Sequence, residues 1–284
     1  MQKAAGKLSR GCSPYKERQR RYMQRSALGP ALVVVRTAGN PHRLRLRVRV
    51  LICAECGGGG YEVRVYCDFD GTITTRDTTD YILERLARPA WQDTEAAWVA
   101  GRITAAECMR RQIALIEASD VRLDEVLDEV DIAPGFSAFV GWCATRRVPL
   151  VIVSDGVDYF IRRVLERHRL GGLPVIANRL SGCEASRRLE QPWQRADCAA
   201  GAGVCKCAVL RGGAPQTAAY IGDGRSDFCV ALRANVLFAK GVLARHAHER
   251  GISYFRYTDF HDVLRLITPM IDMGREQRAR AVPI

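Results

Sequence analysis

The sequence lacks the long apolar segments that membrane proteins require. No apolar run approaches the ~20 residues that span a bilayer, and no apolar core of a signal peptide follows the amino terminus. With 48% hydrophobic and 26% charged residues, the 284-residue chain has the composition of a globular protein, long enough for one large domain or two small ones. We therefore expect a cytoplasmic protein with no membrane partner.

Acidic residues are nearly missing from the first 60 positions. This segment holds 13 Lys and Arg residues but only two acidic ones, Glu17 and Glu55. The remaining 224 residues hold 30 basic and 29 acidic groups, so the net charge of +12 belongs almost entirely to residues 1–60. Such a segment can bind nucleic acid or anionic membrane non-specifically, whereas the nearly neutral body gives no reason to expect a nucleic-acid partner.

The same segment also lacks a sustained helical or strand period, and four glycines at 57–60 separate it from the rest. We interpret residues 1–60 as a basic, disordered extension. Because the composition changes so abruptly, one hypothesis places the true start of translation near residue 61. A targeting peptide and a nucleic-acid-binding arm are the alternatives. The intact mass of the protein from its native host tests the first hypothesis, since a mass that includes residues 1–60 contradicts it.

A complete zinc-finger pattern is absent as well. The eleven cysteines are an odd number, and without an export signal we expect reduced thiols. Cys53 and Cys56 have the C-x-x-C spacing of half a zinc site, but no second pair follows at the usual distance, so incidental thiols are the simpler interpretation. Cys198, Cys205 and Cys207 cluster on a Gly-rich stretch, where three thiols lack an obvious fourth ligand for a structural metal.

The most informative feature that is present is a pair of carboxylates at the end of a predicted strand. The apolar run 63–67 reads as a short buried strand, and Asp68-Phe-Asp70-Gly71-Thr-Ile-Thr74 follows it directly. Open α/β sheets place their ligands at the carboxyl ends of strands. Two aspartates at such an end can bind a hard cation and offer a nucleophilic carboxylate. Asp68 alone could be a helix N-cap, but the carboxylate pair followed by Gly-Thr after a buried strand argues against that interpretation.

The periodicity of the rest of the body predicts an α/β fold. Helical patterns fill the region from Asp77 to Val130, and residues 180–204 read as a long loop. Apolar strands separated by helices indicate a parallel sheet covered on both faces, with strands at 149–153, 174–177, 218–221 and 236–239. We expect a doubly wound parallel sheet built from residues 61–74 and 134–284, with residues 75–133 as a small helical cap inserted after the first strand.

Further polar groups recur along this fold. Ser154 follows a strand in Val-Ser-Asp-Gly156, Lys206 stands between two cysteines, and Asp223 and Asp227 follow another strand in Gly-Asp-Gly-Arg-Ser-Asp. Each has a simpler interpretation when taken alone. Ser154 could be a helix N-cap, Lys206 a solvated surface lysine, and the two aspartates turn and cap residues.

Together, the motifs resemble those of the haloacid dehalogenase superfamily of phosphohydrolases. DFDGTIT is similar to the first motif of that family, the serine of VSDG to the second, Lys206 to the third and GDGRSD to the fourth, so the resemblance covers about residues 63–270. The helical insertion resembles that of subfamily IB, which contains phosphoserine and methionine-salvage phosphatases. The methionine-salvage type looks nearest, on Pro-Gly-Phe136, Asp158-Tyr-Phe-Ile161, the Cys-flanked lysine and Phe238-Ala-Lys240.

This resemblance implies a Mg²⁺-dependent phosphomonoesterase that acts on a small phosphorylated metabolite through an aspartyl-phosphate, within methionine salvage. Asp68 would be the nucleophile and Asp70 the general acid and base. The implied phosphate-binding groups are Ser154, Lys206, and the backbone N–H groups near Gly71 and Gly156. Mg²⁺ would be held by Asp68, the backbone carbonyl of Asp70 and Asp223, with Asp227 in a supporting role.

Two other functions stay open at this point. One keeps the chemistry but changes the ester, as in a phosphoserine or phosphocholine phosphatase, although Asp155 departs from the Ser-Gly-Gly usual in the former. The other is a catalytically silent binding protein with a nucleic-acid-binding basic tail, against which the complete motif set argues. Candidate specificity residues are Arg110, Arg111 and Gln112 on one predicted helix and Trp91, Trp98 and Trp193, with Glu107 and Arg110 as a candidate amino-acid clamp. The sequence sets neither the substrate nor the oligomeric state.

Overall fold

A computed structural model describes residues 63–182, 184, 186–212 and 217–281. The basic extension proposed for residues 1–60, the pair Cys53 and Cys56, and the hypothesis of a later translation start all lie outside the described residues. None of the helices in the described ranges is both long and apolar enough to cross a lipid bilayer.

A seven-stranded sheet forms the centre of the fold, in the order β4-β3-β2-β1-β5-β6-β7. Every neighbouring pair is parallel except β3 and β4, which are antiparallel. The strands are β1 Val63–Cys67, β2 Leu150–Val157, β3 Val175–Ser181, β4 Arg188–Glu190, β5 Thr217–Gly222, β6 Val236–Ala239 and β7 Phe255–Arg256. The predicted α/β fold with a doubly wound parallel sheet is therefore confirmed, and the antiparallel edge strand β4 is an addition to it.

Helices cover both faces of this sheet. They are α1 Thr78–Leu86, α2 Trp91–Val99, α3 Ala105–Ile113, α4 Asp120–Leu127, α5 Phe136–Thr145, α6 Asp158–Arg167, α7 Lys206–Gly212, α8 Phe228–Ala231, α9 Gly241–Glu249 and α10 Phe260–Ala281, with a 3₁₀ turn at Arg225–Asp227. Along β1 the side chains alternate between two hydrophobic cores. Val65 and Cys67 belong to one, while Tyr66 belongs to the other. This two-residue alternation is what a strand buried on both faces requires.

Helices α1 to α4 follow β1 and begin at polar caps. Asp77 accepts a hydrogen bond from the N–H of Asp80 at 3.0 Å, and Thr104 accepts one from the N–H of Glu107 at 3.2 Å. The Glu107 carboxylate pairs with the guanidinium groups of Arg110 and Arg111. The caps fix where each helix starts, and thereby which of its residues face the carboxyl edge of the sheet.

The strands differ from the predicted ones mainly at their ends. β2 continues to Val157, so Ser154 and Gly156 lie inside the strand instead of in a loop after it. The predicted loop 180–204 contains β4, a three-residue edge strand whose middle residue alone is buried. The missed edge strands β4 and β7 are too short to show a period of two in the sequence.

Candidate active site

The carboxyl ends of the three central strands bring the predicted polar groups together. Asp68 follows β1, Ser154 lies near the end of β2 and Asp223 follows β5, and β1 runs between the other two strands. The Asp68 N–H donates to the Ile221 carbonyl at 2.9 Å, and this hydrogen bond joins the carboxyl end of β1 to that of β5. A cavity of about 460 Å³ opens there, lined by residues that include Asp68, Asp70, Gly71, Ser154, Gly156 and Asp223.

Lys206 lies directly behind the first carboxylate. It is the first residue of α7 and is 0% exposed, so it is not a solvated surface lysine. Its Nζ lies 2.8 Å from Asp68 Oδ1 and 2.6 Å from Asp227 Oδ1. Burial alone would lower the pKa of this ammonium group, but the Asp227 and Asp68 carboxylates outweigh burial and raise it. Lys206 therefore stays charged between two carboxylates.

Asp227 is held by four donors and connects the lysine to the backbone of the fourth motif. Its Oδ1 accepts from Lys206 and from the Tyr220 hydroxyl at 2.5 Å. Its Oδ2 accepts from the N–H groups of Asp223 at 3.0 Å and Gly224 at 3.1 Å. Tyr220 was not predicted as a site residue, because its only signal in the sequence is a hydroxyl-bearing side chain in an otherwise apolar strand.

Asp70 has one anchored oxygen and one that faces the cavity. Its Oδ1 accepts from the Thr78 N–H at 2.8 Å and from the Thr78 hydroxyl at 2.5 Å. Its Oδ2 lies 3.4 Å from Ser154 Oγ. Desolvation in the cavity, followed by the nearby Asp77 carboxylate, raises the pKa of Asp70 to about 7, although the Thr78 hydrogen bonds oppose the rise. Thr78, on the first turn of α1, was likewise not predicted as a site residue.

The two motif glycines leave room for carboxylates to approach. Gly71 has φ +68°, and a Cβ there would lie 2.7 Å from Asp223 Oδ2. A Cβ on Gly156 would overlap with Asp70 Oδ2 and Ser154 Oγ. The N–H of Gly71 donates to Thr74 Oγ1 at 3.3 Å and that of Gly156 to Ser154 Oγ at 2.9 Å. That backbone N–H groups near these glycines face an anion stays a prediction.

The aspartates form a group that could hold a metal ion. One carboxylate oxygen from each of Asp68, Asp223 and Asp227 lies within 4.8 Å of the others. Asp68 Oδ1 is occupied by the Phe69 N–H and Lys206, and Asp223 Oδ1 by the Thr72 hydroxyl at 2.5 Å. These donors leave the Oδ2 atoms of Asp68 and Asp223 available to coordinate a cation. Hard oxygen donors of this kind fit Mg²⁺.

The cavity wall opposite the sheet comes from α1, α2 and α3. Of the candidate specificity residues, Trp98 and Gln112 line the cavity. Arg110 and Arg111 do not, since both pair with Glu107 and Arg110 also donates to Gln191. Trp91 packs against one hydrophobic core and Trp193 against the other.

Asp155 connects β2 to the loop before α7. In the sequence it was noted only as a departure from Ser-Gly-Gly. Its carboxylate accepts a hydrogen bond from the N–H of Val204 at 2.8 Å.

Comparison with known proteins identifies the class to which this fold and site belong. Residues 65–232 match the haloacid dehalogenase-like hydrolase family. This is more than half of the 284-residue chain, and the chain belongs to that family.

Its relatives are named phosphatases. A 2-hydroxy-3-keto-5-methylthiopentenyl-1-phosphate phosphatase from Brevibacillus brevis is 31% identical over 212 residues, covering 72% of this chain and 94% of the relative. One of the same name from Geobacillus thermodenitrificans is 30% identical over 210 residues, covering 70% and 93%. The predicted class of enzyme, a phosphatase of this family, is therefore confirmed.

Solved structures support the fold. A phosphoserine phosphatase holding an analogue of its phospho-aspartyl intermediate has a TM-score of 0.54 to this chain. The similarity covers 73% of this chain and 99% of that one, at 17% identity. At this identity the likeness establishes the shared fold alone.

Proposed function

We propose that the chain is a Mg²⁺-dependent phosphomonoesterase that hydrolyses a small phosphorylated metabolite through an aspartyl-phosphate on Asp68. The observation that carries this proposal is the buried Asp68 carboxylate, with Lys206 Nζ at 2.8 Å, at the floor of a cavity whose wall holds Asp70 and Ser154. Phosphoryl transfer requires an in-line nucleophile and positive charge near the phosphate oxygens. Both are available at this position.

In the first step an Asp68 carboxylate oxygen bonds to phosphorus while the ester P–O bond breaks. The departing alkoxide takes a proton from Asp70, whose Oδ2 faces the cavity beside Ser154. Burial and the Asp227 carboxylate raise the pKa of Asp68, and Lys206 opposes them. Lys206 therefore favours the ionised, nucleophilic form of Asp68.

In the second step water attacks the phosphorus of the aspartyl-phosphate. Asp70, now ionised, takes the proton of that water, and Asp68 leaves as a carboxylate with release of inorganic phosphate. Ser154 donates to a phosphate oxygen, and Lys206 supplies positive charge to the transferring group. Asp68, Asp223 and the carbonyl of Asp70 would hold the Mg²⁺, which adds positive charge against the phosphate oxygens when it is bound.

The substrate that best fits the cavity is an ester whose alcohol carries no carboxylate. Asp80 and Glu95 line the cavity on the side of α1 and α2. Partial desolvation first, and then the Glu95 and Asp70 carboxylates, raise the pKa of Asp80 to about 6. A phosphoserine carboxylate would meet like charge there. The candidate clamp for an amino acid is also absent from the described cavity wall, since Glu107 and Arg110 pair with each other.

We therefore assign the substrate carried in the names of the relatives, the methionine-salvage ester 2-hydroxy-3-keto-5-methylthiopentenyl-1-phosphate, to this chain as well. Helices α1 to α4, within the predicted cap at 75–133, would cover it. The apolar part of the wall includes Trp98 and Met109, which suit a thioether tail. A panel of phosphate esters assayed with Mg²⁺ and then with EDTA tests this assignment. Higher kcat/KM for phosphoserine than for the salvage ester would contradict it.

The pH profile is expected to report Asp70. Because its pKa is raised to about 7, its acid form dominates below that pH and is lost above it. For an alkyl phosphate, whose leaving group needs a proton, kcat/KM should fall about tenfold per pH unit above pH 7. The leaving group of 4-nitrophenyl phosphate does not need a proton, so for this ester the fall of kcat/KM above pH 7 should be much smaller. Identical alkaline limbs for the two esters would contradict the role of Asp70.

Specificity against carboxylate-bearing esters is expected to depend on Asp80 and Glu95. In the double variant Asp80→Asn/Glu95→Gln, kcat/KM for phosphoserine should rise by about tenfold to hundredfold relative to the salvage ester, because like charge is removed at short range. The matched control is Glu84→Gln/Asp93→Asn, which removes two exposed carboxylates from the same two helices outside the cavity. Equal effects of the two double variants would contradict the specificity role.

A second candidate substrate is a phosphate ester of a cationic alcohol such as phosphocholine. The observation that favours it is the Trp98 ring on the same wall as the Asp80 and Glu95 carboxylates, since aromatic faces and carboxylates both attract quaternary ammonium groups. Arg225 opposes it, because its guanidinium lies 5.8 Å from the centre of the Trp98 ring. Phosphocholine in the ester panel distinguishes the two candidates.

A further inference from the structure

Ser226 lines the active-site cavity but has no role in the proposed phosphatase mechanism. It belongs to the 3₁₀ turn Arg225–Asp227, which follows β5. Its hydroxyl oxygen accepts a hydrogen bond from Lys206 Nζ at 2.9 Å. In the sequence it stands inside the motif Gly-Asp-Gly-Arg-Ser-Asp227, of which only the two aspartates were given roles.

The three protons of the Lys206 ammonium group are all engaged by neighbouring oxygens. A lysine side chain carries three N–H donors and no acceptor. Lys206 Nζ lies 2.8 Å from Asp68 Oδ1, 2.6 Å from Asp227 Oδ1 and 2.9 Å from Ser226 Oγ. A direct hydrogen bond from Lys206 to a phosphate oxygen would therefore break one of these three contacts. While they persist, the lysine acts on the phosphate through its charge alone.

The Ser226 hydroxyl group can extend that positive charge into the cavity. A serine hydroxyl accepts through its oxygen and still donates its own proton. Acceptance from a cation polarises the hydroxyl group and makes it a stronger donor. Two acceptors of one tetrahedral ammonium group lie about 4–5 Å apart, so Ser226 Oγ lies close to the Asp68 carboxylate. The proton of Ser226 is therefore available beside the proposed nucleophile.

Ser226 and Ser154 lie on opposite sides of the strand that carries the nucleophile. Ser154 belongs to β2 and Ser226 follows β5, and β1 runs between these strands and ends at Asp68. Ser154 Oγ accepts from the Gly156 N–H at 2.9 Å, much as Ser226 Oγ accepts from Lys206. A neighbouring donor thus fixes the hydroxyl oxygen of each serine. A phosphoryl group on Asp68 would have one serine hydroxyl on either side.

We propose that Ser226 is a further catalytic residue, whose hydroxyl group donates to a phosphate oxygen while its oxygen accepts from Lys206. The inference rests on the proposed function, because it needs a phosphoryl group at Asp68. During phosphoryl transfer, negative charge is spread over the three equatorial oxygens of the transferring group, and donors already in place stabilise it. Ser154 and Ser226 would each donate to one of these oxygens.

Substitution of Ser226 tests this hydrogen bond in the full-length protein. In Ser226→Ala, kcat/KM for 4-nitrophenyl phosphate with Mg²⁺ should fall about hundredfold to thousandfold, the loss typical of one missing oxyanion donor. Ser226→Thr keeps the hydroxyl group and should recover most of that loss. The matched control is Ser137→Ala, which changes an exposed serine on α5 and should behave as wild type. Wild-type kcat/KM in Ser226→Ala would overturn the proposal.

The variant Lys206→Met shows whether Ser226 contacts the phosphate or acts only through the lysine. Addition of Ser226→Ala to Lys206→Met should lower the residual kcat/KM further, though by a smaller factor than in the wild type, because the hydroxyl group is no longer polarised. No further loss would overturn a direct contact. If Lys206→Met does not fold, Lys206→Met/Asp227→Asn, which also removes a buried carboxylate, provides the background.

Failure of this inference is distinguishable from failure of the proposed function. Mg²⁺-dependent hydrolysis by the wild type, and its loss in Asp68→Asn, report the proposed function. If both are observed and Ser226→Ala behaves like Ser137→Ala, the phosphatase stands and only the role of Ser226 is overturned.

Discussion

Asp68→Asn is expected to abolish Mg²⁺-dependent phosphatase activity, with kcat at least about 10⁴-fold below wild type, because the amide cannot attack phosphorus. The fold should survive. Asparagine has nearly the same shape as aspartate, and Lys206 keeps its partner Asp227 at 2.6 Å. Initial rates on 4-nitrophenyl phosphate and on the salvage ester measure the loss, and circular dichroism checks the fold.

A covalent-labelling experiment separates loss of the nucleophile from general damage to the site. When a reaction with a ³²P-labelled ester is quenched rapidly in acid, the wild-type protein should carry covalent label. The Asp70→Asn variant, given a labelled aryl ester, should accumulate more label, because hydrolysis of its aspartyl-phosphate lacks the general base. Asp68→Asn should take up none. The control Asp93→Asn, an exposed aspartate on α2, should behave as wild type. Label retained in Asp68→Asn would remove the proposed nucleophile.

Lys206→Met is expected to have the largest effect on stability. It leaves the carboxylates of Asp68 and Asp227 buried without their shared cation, and removing one partner of a buried ion pair costs about 3–5 kcal/mol of unfolding free energy. Methionine keeps the length of the side chain, so the loss reports charge more than volume. Urea unfolding followed by circular dichroism measures it, and activity should fall as well.

The double variant Lys206→Met/Asp227→Asn tests whether charge is the cause. Because it removes one buried carboxylate together with the ammonium group, it should recover part of the lost stability, a coupling that a double-mutant cycle quantifies. Lys240→Met is the matched control. Lys240 is the other lysine of the described chain and lies 5.2 Å from the centre of the Tyr257 ring, so its loss should cost about 1 kcal/mol or less. Equal losses for the two single variants would contradict this interpretation.

The sheet and the position of the acidic site residues at its carboxyl edge could be predicted because both depend on local patterns. Apolar strands between helices define the parallel sheet, and carboxyl ends of neighbouring parallel strands must share an edge, so Asp68 and Asp223 could be expected to meet. Lys206 could be placed only through the family resemblance. Its burial depends on the carboxylates of Asp68, after β1, and Asp227, in the 3₁₀ turn, and no local pattern around Cys205-Lys-Cys207 encodes these contacts.

The partners that position the site residues could not be predicted for the same reason. Tyr220 contacts Asp227 across the end of β5, and Asp155 contacts Val204 across the sheet edge. Such contacts form only after the chain has folded. Contacts between distant segments leave no periodic trace in a single sequence.

The contact between Thr78 and Asp70 links substrate access to proton affinity. Both hydrogen bonds from Thr78 come from the first turn of α1, the helix that follows the acidic motif and borders the cavity. The same helix also brings its cap residue Asp77 and helps to desolvate the cavity, and these two effects raise the pKa of Asp70 more than the two hydrogen bonds lower it. The position of α1 on the sheet therefore sets the net proton affinity of Asp70. One helix end both orients the general acid and keeps it protonated up to about pH 7.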